Sequence, residues 1–72
     1  MQDTTGEYVE LNAFLKKLGL AATGGQAKLI IRAENVKVNG EVETRNKRKL
    51  RDKDVVEYLG KKYAVALNNL KK

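Results

Sequence analysis

Thr23-Gly24-Gly25-Gln26-Ala27-Lys28-Leu29-Ile30-Ile31-Arg32-Ala33-Glu34-Asn35-Val36-Lys37-Val38-Asn39-Gly40 changes its hydrophobic period partway along, from helical to alternating. Thr23 followed three residues later by Gln26 predicts a capping box, in which each side chain satisfies a backbone N–H of the other residue. Ala27, Ile30 and Ile31 then form a buried stripe, and Lys28 and Arg32, four apart, share the solvent face. Leu29 lies off the stripe, as a second contact or an ordinary exposed leucine. After Asn35, Val36 and Val38 point to one side of a strand. Asn39-Gly40 is the strongest short hairpin signal, with Val42 and Thr44 returning on the partner strand.

Toward the N-terminus, Leu11, Phe14, Leu15 and Leu18 recur with the spacing of an amphipathic helix. Asn12 or Glu10 is the expected cap of its start. Lys16 and Lys17 suit the negative end of its dipole, and Gly19 is the expected left-handed stop. Residues 1–7 read as a loose arm. Toward the C-terminus, a basic loop runs to Asp52 with Leu50 as its single apolar anchor. Val55, Val56 and Tyr58, then Tyr63, Val65 and Leu67, predict two more strands joined at Gly60-Lys61. Residues 68–72 form a short tail. The expected architecture is a single α+β domain over residues 8–67. In it, two N-terminal helices pack on a small antiparallel sheet of three to four short strands.

Composition narrows the chemistry. A chain of 72 residues makes one domain with a modest core and no deep substrate cavity. Cysteine and histidine are both absent, which removes disulfides, thiolate chemistry, the commonest metal ligands and the usual proton shuttle. No apolar run suits a signal peptide or a membrane span, so a cytoplasmic protein is expected. Glu41 and Glu43 lie beside excess positive charge, which should strengthen their acidity, and Asp52 and Asp54 read as turn residues. No nucleophile–base pair and no Walker-type loop is present. Neither an enzyme nor a cofactor is expected.

The charge is unevenly placed. Residues 1–36 carry four basic and four acidic side chains, whereas residues 37–72 carry eleven basic against five acidic, so the whole net charge of +6 lies in the second half. Six of the nine residues from Arg45 to Lys53 are basic, against Asp52 alone. That asymmetry points to a polyanion as partner. Gly24 and Gly25 would let a phosphate approach the positive end of the second helix, with Lys28 and Arg32 continuing the track. Arg45, Lys47, Arg48 and Lys49 mix mobile point charges with forked guanidiniums, a combination suited to an irregular RNA backbone. If this loop folds back beside the helix entry, both line one groove. Tyr8, Phe14, Tyr58 and Tyr63 are expected to pack in the core or in strands.

The ordered set of motifs resembles the αL RNA-binding motif, the small domain named after ribosomal protein S-four. The likeness covers about Tyr8 to Tyr58. It rests on the leucine-rich first helix, Thr23 with Ala27, Ile30 to Arg32, Val36 to Gly40, and the closing Lys49 to Glu57. The variant Thr-Gly-Gly-x-Ala-Lys looks most like the small stand-alone members, which are RNA-binding or ribosome-associated. The resemblance implies a monomer that binds structured RNA, ribosomal RNA above all, through Thr23, Gly24, Gly25, Lys28, Arg32, Lys37, Asn39, Arg45, Lys47, Arg48 and Lys49. The chain departs from the family pattern in three places. Gly24-Gly25 stands where many members carry arginine. Glu34 replaces a glycine, leaving Asn35 as the expected left-handed residue. Asp52-Lys53 replaces Pro-Gly, so a looser turn is expected there. Two other readings remain open: an adaptor whose basic loop docks on an acidic protein surface, and the recognition piece of a longer modifying enzyme. Reversing Lys47, Arg48 and Lys49 to glutamate is expected to abolish RNA binding with the fold intact.

Overall fold

Leu11, Phe14 and Leu15 bury one face of the first helix, α1 (Leu11–Lys17), which follows a two-residue strand, β1 (Val9–Glu10). A computed structural model describes residues 8–67, so the arm at 1–7 and the tail at 68–72 lie outside the described residues. The helix ends as expected. Gly19 takes φ 79°, and the Gly19 and Leu20 amides close back on the carbonyls of Lys16 and Leu15 in a Schellman arrangement. Leu18, at the cap, is half exposed rather than part of the buried stripe.

The second helix, α2 (Gly24–Arg32), buries Ala27 and Ile31 completely and Ile30 in part. Thr23 caps it, its hydroxyl accepting from the Gln26 amide at 3.0 Å. The return bond differs from the predicted box. The Gln26 side chain accepts from the Ala22 amide, one residue before the cap, at 2.6 Å. At the other end the left-handed residue is Glu34, with φ 65°, and not Asn35. The Glu34 amide donates to the Ile31 carbonyl, so helix closure selects the position directly after the cap whatever side chain stands there.

The main sheet contains β2 (Val36–Val38), β3 (Glu41–Val42), β5 (Val55–Tyr58) and β6 (Lys61–Ala64), all antiparallel in the order β3-β2-β5-β6. Asn39 and Gly40, at φ 53° and 88°, form the predicted hairpin turn. The return strand stops at Val42, which is half exposed, and Thr44 lies beyond it. The second hairpin turns on Leu59 and Gly60, one residue earlier than expected, with both residues at positive φ. Val65 and Leu67 are buried but lie beyond the end of β6.

The sequence reading missed a second, two-stranded sheet in which β1 pairs with β4 (Lys49–Leu50), Val9 opposite Leu50 and Glu10 opposite Lys49. Leu50 is fully buried. A side chain of that size contributes about 2 kcal/mol when removed from water. It therefore fixes the far end of the basic loop. The two helices, Val36, Val38 and Val56 from the main sheet, and Leu50, Val65 and Leu67 share one core.

The turn at Arg51–Asp54 is closed rather than loose. The Asp54 amide donates to the Arg51 carbonyl at 3.1 Å, and the Asp54 carboxylate accepts from the Arg51 amide at 2.8 Å. Lys53 supplies the left-handed residue at φ 75°. A non-glycine residue there costs about 1–2 kcal/mol, and glycine returns part of that cost by its greater freedom when unfolded. Lys53→Gly is therefore expected to stabilise the domain by about 0.5–1 kcal/mol, raising Tm by several degrees in thermal denaturation. A lowered Tm would mean that the lysine side chain holds the turn.

Candidate nucleic-acid interface

The register of β3 sets the chemistry of the basic loop. Val42 faces outward, so the next residue, Glu43, faces inward, and it is buried with 7% of its surface exposed. A buried carboxylate needs partners. Glu43 accepts from the Arg45 backbone amide at 2.9 Å, from Arg45 Nε at 2.9 Å and Nη2 at 3.2 Å, and from Arg48 Nη1 at 2.8 Å. The hydrogen-bonded Arg45 guanidinium is the main cause that brings the carboxyl down to about 2. The Arg45 amide and Arg48 add to this, and together they outweigh the opposing effect of burial. The expected strengthening of acidity is thus present at Glu43, which was read from sequence only as one acid of a hairpin.

The loop is held from the other side by α1. Glu10, the residue before that helix, makes no side-chain cap bond, and Asn12 Oδ1 accepts from the Ala13 amide at 2.8 Å. The amides of Leu11 and Asn12 instead donate to the carbonyls of Arg48 and Asn46, at 2.8 and 3.0 Å. The first turn of a helix always has amides without intrahelical partners, and here the basic loop supplies the acceptors. With Leu50 anchored below and Glu43 clamped behind, Arg45, Lys47, Arg48 and Lys49 line one open cleft of about 420 Å³. Among the described residues, every side chain lining that cleft is a cation. Arg45 is 72% exposed and Arg48 29%, so both show cationic surface while bound to Glu43.

The remaining predicted residues fall into separate groups. Lys28 and Arg32 are exposed on one face of α2. Gly24 and Gly25 open its first turn. A Cβ at Gly24 would meet nothing within 4 Å and one at Gly25 only Thr23 Oγ1 at 3.9 Å, so packing does not require glycine at either. The Thr23 hydroxyl is committed to the cap. Lys37 lies exposed on the sheet, cross-strand from Glu57. The Asn39 side chain is a bridge within the fold, accepting from the Val55 amide at 2.9 Å and donating to Asp54 at 3.2 Å.

The loop is tied to the first turn of α1, whereas the entry to α2 follows its last turn. A seven-residue helix, about 10 Å long, lies between those ends. Arg48 also differs from its neighbours. Because it contacts Glu43, reversing its charge would set two carboxylates against each other, and a triple reversal at 47, 48 and 49 would disturb the fold. Tyr8, read as a packing residue, is 42% exposed, with Lys49 Nζ 5.1 Å and the Arg51 guanidinium 5.6 Å from its ring centre.

A helix pair on an antiparallel sheet, bearing a cleft lined by cations, defines a small basic α+β binding module. The chain belongs to the S4 domain family, whose pattern matches residues 3–66. The S4 domain is an RNA-binding module, not an enzymatic fold. No curated protein matches the sequence. Among the described residues, no helix is long and apolar enough to cross a membrane, and no cluster of acidic side chains is placed to hold a metal ion.

Proposed function

We propose that this chain binds structured RNA of the ribosomal class as a monomer in the cytoplasm, on the ribosome or its assembly intermediates, and performs no chemistry on it. The observation that carries this reading is the cleft of Arg45, Lys47, Arg48 and Lys49, preorganised by Glu43 and by the first turn of α1. Exposed cations on a mobile loop lose side-chain and backbone freedom on binding. Here much of that ordering is already done in the free protein. Lys28, Arg32 and the amides of Gly24 and Gly25 form a second anion-binding element, which supplies the grip that related chains draw from arginines after the cap. Two elements at fixed separation read the spacing of phosphates. That suits A-form RNA, whose base edges are hidden in a deep, narrow groove.

The test compares a folded ribosomal RNA fragment with duplex DNA of equal phosphate number over a range of salt. Six cations contacting phosphate give a slope of log K on log[salt] on the order of −4 to −5, and the folded RNA should bind tighter at every salt. Equal affinity for the two would leave a general polyanion binder. Failure to bind RNA would leave the adaptor reading, in which the cleft receives an acidic protein surface.

A further inference from the structure

We propose that Tyr8 is a stacking platform for one unpaired nucleotide, whose phosphate occupies the neighbouring cation cleft. This inference rests on the RNA-binding reading and adds a feature of the target to it. The β1–β4 pairing places Val9 and Leu50 toward the core, which turns the flanking residues Tyr8, Lys49 and Arg51 to the outer side of the small sheet. Lys49 connects the two features. It lines the cleft, and its Nζ is 5.1 Å from the Tyr8 ring centre. One side chain thus borders both the cleft, where a phosphate would sit, and the ring, where its base would stack.

Tyr8 also borders a mostly apolar depression of about 400 Å³ shared with Phe14, Leu18, Val65 and Leu67, with Lys17 at its edge. A base stacked on the ring has charge on one side and apolar surface on the other, as the amphipathic shape of a nucleotide requires. A lysine over an exposed ring is a weaker contact than a stacked base. The incoming base displaces the ammonium, which moves onto the phosphate of the same nucleotide. A base held in a continuous helix cannot reach the ring, so the proposed target carries a bulged or looped nucleotide beside its paired region.

The experiment uses RNA hairpins with one unpaired 2-aminopurine at successive positions, together with the fully paired hairpin. Wild type, Tyr8→Ala, Tyr8→Leu and Tyr8→Phe are compared. Wild type should bind one bulged hairpin about tenfold tighter than the paired one, with a change in 2-aminopurine emission. Tyr8→Ala and Tyr8→Leu should lose that preference while keeping wild-type affinity for the paired hairpin, and Tyr8→Phe should retain it. No preference in wild type, a preference that survives Tyr8→Ala, or an equal loss on both RNAs would overturn the stacking assignment alone. If wild type binds none of the hairpins, the RNA-binding reading falls with it.

Discussion

Reversing Lys47 and Lys49 to glutamate together is expected to weaken binding to folded RNA by about a thousandfold at moderate salt. Both lysines are exposed and line the cleft, and neither contacts Glu43. Glu10 lies opposite Lys49 and Tyr8 beneath its ammonium, so the reversal at 49 costs the fold about 1 kcal/mol, and Tm should fall by several degrees while the domain stays folded. A cation near phosphate at a solvated surface contributes about 1 kcal/mol, and a glutamate in its place costs a similar amount. Two reversals thus sum to about 4 kcal/mol, or three decades in Kd. The salt slope should shrink by about two units, because two fewer counterions are released. Lys61→Glu with Lys62→Glu, on β6, makes the same change in net charge away from the cleft and is the control. If both pairs weaken binding equally, overall charge rather than the cleft drives association.

The elements legible in sequence were those whose signals are local. α1 and α2 announce themselves by apolar spacing, and their ends by Gly19 and Thr23. The Asn39-Gly40 hairpin follows from two residues that tolerate left-handed backbone. Left-handed backbone at Glu34, Lys53 and Leu59 was not readable, because those side chains carry no preference for it. Helix closure and turn closure impose it on whichever residue stands there. The β1–β4 pair was missed for a related reason. Two-residue strands far apart in the chain carry no periodicity, and Leu50 alone hinted that the loop is fastened.

The cations of the candidate site were visible as composition, but their organisation was not. Arg45 and Arg48 look like Lys47 and Lys49 in a charge count, and only the inward turn of Glu43 separates clamped arginines from exposed lysines. Tyr8 showed no signal either, because an exposed aromatic and a packed one are written with the same letter. The spacing Glu43-Thr44-Arg45, a carboxylate two residues before an arginine at the end of a short strand, is the one local cue to the clamp.

Glu43→Ala should be the most damaging substitution among the charged residues of the loop. It leaves Arg48, 29% exposed, with a guanidinium that has lost its carboxylate, and it removes the acceptor for the Arg45 amide. Breaking one member of such a partly buried network costs about 2–4 kcal/mol, a large share of the ~4–11 kcal/mol expected for a domain of this size. Acid should reproduce the loss in the intact protein. The Glu43 carboxyl is depressed to about 2 in the folded state from an ordinary value of 4.5. Its stabilisation is therefore complete above about pH 4.5 and disappears as pH falls toward 2. With the exposed side of the clamp screened by solvent, the amplitude is on the order of 2 kcal/mol. Urea denaturation of wild type and Glu43→Gln at pH 7 and pH 3 separates the contributions. Wild type should lose more stability on acidification than the variant, which has no proton to gain at this position. The same substitution distinguishes geometry from charge in RNA binding. Glu43→Gln raises the net charge from +6 by one unit, so simple attraction predicts tighter binding. A preorganised cleft predicts weaker binding to folded RNA and a reduced preference for it over duplex DNA, because Arg45 and Arg48 are no longer held in place.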